Sequence, residues 1–182
     1  MHGGGGTALY DAVFLASDEV ISKQEGRKAL IILSDGVDNA SRISLERAIE
    51  SAQRADTMVY SILFVDKDAY GGGFGGRGSV SGPWGRGGGG GYPRPQPQRR
   101  ESTADGKKVL ERISQETGAR MFEVSKKLPI GDIYAQIQEE LRNQYSLGYT
   151  PDRIEGVYHK IQLATRQKDL IVQARDGYYA RP

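Results

Sequence analysis

There is no cysteine among the 182 residues, so neither a disulfide framework nor thiolate chemistry is open to this chain, and its compartment cannot be read from redox logic. It also lacks any apolar run near the ~20 residues that a membrane-crossing helix needs. The opening Met1-His2-Gly3-Gly4-Gly5-Gly6 has neither a basic nor an apolar region, so no export signal is legible. A complete gene product of this sequence would stay in the cytoplasm. An excess of one charge sign is missing too. The formal net charge of +2 is too small to argue for nucleic acid or membrane, and the basic surplus is local: Arg77, Arg86, Arg94, Arg99 and Arg100 share one Gly/Pro-rich stretch.

What is present suits one compact domain, with 37% hydrophobic and 26% charged residues. Over residues 7–25, Leu9, Ala12, Val13, Ala16 and Val20 recur at offsets of three and four, which predicts an amphipathic helix that stops near Gly26. Lys28 to Ser34 is a continuous apolar run closed by Asp35-Gly36, the pattern of a buried parallel strand. Leu45, Ala48, Ile49, Ala52 and Ala55 form a second helical stripe with Ser44 as N-cap, and Met58 to Val65 is a second apolar strand. Further helices are predicted over 105–117 and 130–143, with short strands at Arg120–Val124 and Tyr145–Tyr149. Val157–Thr165 and Leu170–Arg175, joined by Arg166–Asp169, predict an antiparallel hairpin.

The fold class that follows is α/β: a Rossmann-like, mostly parallel sheet flanked by helices, with an appended C-terminal antiparallel β-hairpin. Residues 1–65 form a first part of the core, 106–152 a second and 153–182 the hairpin extension. Between them, 66–105 hold 13 of the 25 glycines between Gly71 and Gly91, then Pro93, Pro95 and Pro97. Such a segment buries too little apolar surface to offset its ordering entropy and is expected to be a disordered insertion.

Two places carry candidate chemistry, both at the C-terminal edge of the inferred sheet, where open α/β folds bind ligands. One is Gly5-Gly6-Thr7, opening the first helix. The other is Ser34-Asp35-Gly36 at a strand end, running into Val37-Asp38-Asn39-Ala40-Ser41. A hydroxyl and a carboxylate are hard oxygen donors of the kind that Mg²⁺, Mn²⁺ or Ca²⁺ prefers.

The phrases Gly-Gly-Thr-Ala-Leu-Tyr-Asp-Ala-Val, Ile-Ile-Leu-Ser-Asp-Gly-Val-Asp-Asn-Ala-Ser, Gln-Tyr-Ser-Leu-Gly-Tyr-Thr-Pro and Ala-Arg-Asp-Gly-Tyr-Tyr-Ala resemble the von Willebrand factor A-type (VWA) domain, in particular its bacterial "VWFA-related" envelope proteins. The resemblance implies a protein-interaction, adhesion-type module and not an enzyme. It also implies an exported protein of the periplasm, cell envelope or surroundings. Thr7 and Asp35 would be two ligands of a metal-ion-dependent adhesion site, whose divalent cation takes a carboxylate from a protein partner. Gly6, Ser34, Gly36 and Asp38 would line the same loops.

The family's first metal-binding element, Asp-x-Ser-x-Ser on the central strand, is missing. The nearest pattern, Arg77-Gly78-Ser79-Val80-Ser81, has Arg in place of Asp and lies in the Gly-rich stretch. The chain therefore corresponds to the C-terminal two-thirds of such a domain, and a Mg²⁺ site keeping two protein ligands binds weakly or not at all. The strand at 28–34 also loses a neighbour, which leaves an apolar edge open to self-association and lowers stability.

Plainer readings stand beside these. Asp35 fits a turn, Thr7 a helix N-cap, and Asp38, Asn39 and Ser41 turns and caps, while Asp11 complements the helix dipole. His159 and His2 lack the partners of acid–base catalysis. Tyr145, Tyr149, Tyr158, Tyr178 and Tyr179 suit core and sheet-face packing. The Gly/Arg-rich stretch with Trp84 and Tyr92 could bind single-stranded RNA, although its five arginines are sparse for that. A phosphotransferase using Asp35 would need a second Asp two residues on, where Val37 stands, or a phosphate loop following a strand.

Overall fold

The computed structural model describes residues 6–64, 99–150 and 158–179. The expected insertion at 66–105 lies outside them, apart from its last residues. Helix α1 (Leu9–Leu15) continues through a π turn (Ala16–Val20) and a 3₁₀ turn (Ile21–Lys23). Then follow β1 (Lys28–Ser34), α2 (Leu45–Arg54), β2 (Thr57–Leu63), α3 (Arg99–Glu116), β3 (Met121–Glu123), α4 (Ile130–Arg142), β4 (Tyr158–Lys160) and β5 (Gly177–Tyr179).

The protein is mixed α/β: a three-stranded parallel sheet ordered β1-β2-β3, flanked by helices, and a separate antiparallel pair, β4-β5. β1 runs beside β2 from Lys28↔Thr57 to Ser34↔Leu63, and β2 beside β3 from Ser61↔Met121 to Leu63↔Glu123. Alternation of side chains gives each strand two apolar faces, as a sheet covered on both sides requires. Leu30, Ile32, Val59 and Leu63 meet Leu9, Val13, Ala48, Ile49, Ala52, Leu110 and Ile113 of α1, α2 and α3. Tyr60, Ile62 and Phe122 meet Ile133 and Ile137 of α4. Burying a side chain such as Ile49 contributes about 2 kcal/mol. Within the first layer Ser114 Oγ donates to Ser61 Oγ at 2.9 Å, so the buried hydroxyls of α3 and β2 satisfy each other.

The elements differ from expectation at four places. The π turn adds a residue to one turn and rotates everything after it, so Val20 points outward, 60% exposed, and Ser17 is buried in its stead. α3 begins at Arg99, inside the stretch expected to be disordered. Tyr145–Tyr149 forms no strand: no neighbour among the described residues pairs with it, and Tyr145, Leu147 and Tyr149 are exposed. Tyr145 and Tyr149 are accordingly not core residues. The antiparallel pair has a turn at 168–169, where one was expected, but ladder pairing holds only between 158–160 and 177–179, which moves the second strand beyond Arg175.

The β4-β5 pair docks at the end of the sheet where β2 and β3 begin. Gln173 Nε2 donates to Gly118 O at 3.1 Å, Arg175 pairs with Asp56, and the Arg54 guanidinium lies over Tyr179 at 4.2 Å. The opposite end, where β1 and β2 finish, is left to the loops. No helix among the described residues is long and apolar enough to cross a membrane.

Candidate functional site

β1 runs out at Ser34, and two local hydrogen bonds turn the chain there. Gly36 N donates to Ser34 Oγ at 3.0 Å and Val37 N to Asp35 Oδ1 at 3.1 Å. Gly36 has φ +79°, and a side chain on it would collide with the backbone of Gly106 in α3. Only glycine meets both demands. Gly106 in turn faces the Asp35 carbonyl and Gly36, so two glycines let α3 seat directly on the turn that carries Asp35.

Beyond the turn, the loop folds back onto the start of α1. Thr7 N donates to Asn39 Oδ1 at 2.7 Å, while Asn39 N and Ala40 N donate to Thr7 O at 3.0 and 3.2 Å. Helix α1 carries Ala8 at its cap position, which has no side-chain acceptor for the first free N–H groups. The loop supplies them instead: Tyr10 N donates to Asp38 Oδ2 and Asp11 N to Ser41 Oγ, both at 3.1 Å. Asp11 reciprocates, its Oδ1 accepting from Arg42 N at 3.0 Å and Ile43 N at 3.2 Å. Gly6 lies so near this loop that a side chain there would meet Asn39 Oδ1 and Ala40 Cβ.

The electrostatics follow from these bonds. Burial alone would raise the Asp38 carboxyl, but hydrogen bonds from the Ser41 hydroxyl and from the N–H groups of Tyr10, Ser41 and Leu9 outweigh it and hold the group below its ordinary value. The Tyr10 phenol is pushed up by burial and then by the negative charges of Asp38 and Glu46. A second polar group lies beneath α4, where burial, and then the neighbouring Glu140 carboxylate, push the Tyr60 phenol up to about 12. Glu140 also pairs with Arg120.

The geometry thus unites the Gly6-Thr7 and Ser34–Ser41 loops, and it does so through Asn39, Asp38, Ser41 and Asp11. Thr7 joins through its backbone and leaves its side chain exposed; it does not occupy the cap position. Asp38 is consumed by capping and folding the loop, whereas Asp35 has one oxygen engaged by Val37 N and is partly exposed. The clasp between Asn39 and Thr7 and the seat of Gly106 have no marker in the sequence, since each joins positions far apart in the chain. His159 lies in the β4-β5 pair, stacked on Tyr178 with ring centroids 5.1 Å apart. Among the described residues no three of the His, Asp and Glu side chains gather as a metal-binding group. Compared with protein-family models, curated proteins and solved structures, the chain finds no match.

Proposed function

We propose that this chain is the larger, C-terminal part of a Rossmann-like, VWA-type domain and acts as a partner-binding module, not an enzyme. Its contact surface is the loop pair Gly6-Thr7 and Ser34–Ser41 at the C-terminal end of the parallel sheet. The observation that carries this reading is the clasp of Asn39 on Thr7, which holds two loops with hard oxygen donors side by side. The order of the three parallel strands, and the pairing of β1 with β2 alone among the described residues, are what a missing central neighbour would leave.

A cation fits these residues only in part. The Thr7 side chain is exposed and Asp35 is partly exposed with one oxygen accepting from Val37 N, whereas Ser34 and Asp38 accept from N–H groups of the loops. Mg²⁺ or Mn²⁺ held by two protein oxygens would keep water at its other positions, with a dissociation constant on the order of millimolar. A carboxylate on a partner protein would then occupy one of the water positions. Nothing in the described residues favours nucleic acid or phosphoryl transfer over this reading.

The test is paramagnetic broadening by Mn²⁺ in a ¹H–¹⁵N spectrum of the protein. Broadening should centre on the amides of Thr7, Gly36 and Val37 and vanish in Asp35→Ala. Broadening centred elsewhere, or unchanged in that variant, would overturn the assignment.

A further inference from the structure

We propose that the tip between β4 and β5 is a membrane-surface anchor: Leu170 and Ile171 enter the headgroup layer of an anionic bilayer while Arg166 and Lys168 meet its phosphates. The segment that carries the tip is held at its base alone. Ladder pairing covers 158–160 and 177–179, and Ile161 N adds one bond to Asp176 O at 2.8 Å. Gln173 and Arg175 then tie the returning limb to Gly118 and Asp56. Beyond these anchors the chain runs out and back through the turn at 168–169, and every residue from 162 to 174 is exposed.

Much of what the tip exposes is apolar. Leu163 is 47%, Leu170 57% and Ile171 97% exposed. Leu170, Ile171 and Val172 are consecutive, and successive side chains of an extended limb point to opposite sides. A protein laid against one side would cover Leu170 and Val172, or Ile171, and leave the rest in water. A medium that surrounds the tip covers all three at once, and the interfacial layer of a bilayer is such a medium. The charges select the kind of bilayer. From Lys160 to Gln173 the exposed charges are Lys160, Arg166 and Lys168 against Asp169, so the tip is cationic although the whole chain is close to neutral. Anionic headgroups attract such a cluster. Long Lys and Arg side chains keep their charges at headgroup level while apolar neighbours go deeper. The anchor lies at the end of the sheet where β2 and β3 begin, and the Gly6-Thr7 and Ser34–Ser41 loops at the other. A chain held by its tip therefore keeps those loops in water, open to a protein.

Co-sedimentation with vesicles tests this. The chain should pellet with vesicles mixed from phosphatidylcholine and phosphatidylglycerol and stay in solution with phosphatidylcholine alone. Leu170→Ser and Ile171→Ser should each weaken the binding about fivefold or more, and Arg166→Gln together with Lys168→Gln about tenfold or more. All four positions are exposed, so the circular dichroism spectrum should not change. The arginines at 77, 86, 94, 99 and 100 stay in every variant. Binding through them would survive these substitutions and overturn the proposal. A chain that ignores both vesicles, or binds both equally, would overturn it too. Self-association without vesicle binding, lost in Ile171→Ser, would give the tip to a protein contact instead. No arm involves Mn²⁺ or Asp35, so the anchor and the proposed contact surface fail or stand separately.

Discussion

Asp38 and Tyr10, 28 positions apart, meet through a single backbone hydrogen bond of 3.1 Å, by which a loop residue caps a helix that has no cap of its own. Replacing Asp38 with Ala should remove this acceptor and the two bonds to Ser41 together. The expected loss is about 1–2 kcal/mol of unfolding free energy, measured in urea. The carboxyl is held below its unfolded value, so its contribution is present above the unfolded pKa and lost as pH falls through the folded one. The gap in stability between the native chain and Asp38→Asn should therefore narrow below about pH 4.

Tyr60 sets the opposite limb. Its phenol is pushed up to about 12, first by burial and then by Glu140, above the unfolded value near 10. A raised value means stability that is intact below pH ~10 and drains away between there and pH ~12, on the order of 2 kcal/mol in all. Tyr60→Phe should flatten this alkaline fall. An identical pH profile for the two proteins would contradict the assignment.

Ser17, turned inward at the π turn, presents a buried hydroxyl with no hydrogen-bond partner among the described residues. Removing an unsatisfied buried polar group relieves its desolvation cost, so Ser17→Ala should stabilise the fold by roughly 1 kcal/mol. Chemical denaturation would detect it as a higher midpoint at unchanged slope.

Gly118 has φ +85°, and a Cβ there would press on Arg175 N. Gly118→Ala should cost about 1–3 kcal/mol and loosen the β4-β5 pair from its seat. Limited proteolysis should then cut within 161–176 faster than in the native chain.

Much of the fold could be read ahead of the coordinates because its signals are local. The runs Ala29–Leu33 and Val59–Leu63 are too apolar and too short for anything but strands, but only Val59–Leu63 is buried as expected: in β1 Ile32 alone is buried, while Ile31 and Leu33 are exposed. Ser44 caps α2 by accepting from Arg47 N at 3.3 Å. What escaped depends on distant partners. Whether Tyr145–Tyr149 becomes a strand is decided by the presence of a neighbour, not by its own alternation. The π turn is a choice of hydrogen-bond partner that leaves Leu9 and Val13 buried and turns Val20 outward, and of the expected stripe Ala12 is exposed as well. At the candidate site, Thr7 and Asp35 were visible as residue types, but the groups that tie their loops together, Asn39, Ser41 and Gly106, were legible at most as ordinary turn and helix residues.

Arg175 reaches back 119 positions to Asp56, and Gln173 reaches the strand-opening Gly118. Closing so large a span is slow and can happen only once both ends exist. During synthesis the sheet can therefore assemble first, while this last seat stays empty until Gln173 and Arg175 have left the ribosome, and a product that stops before them is released with the foot of its sheet bare.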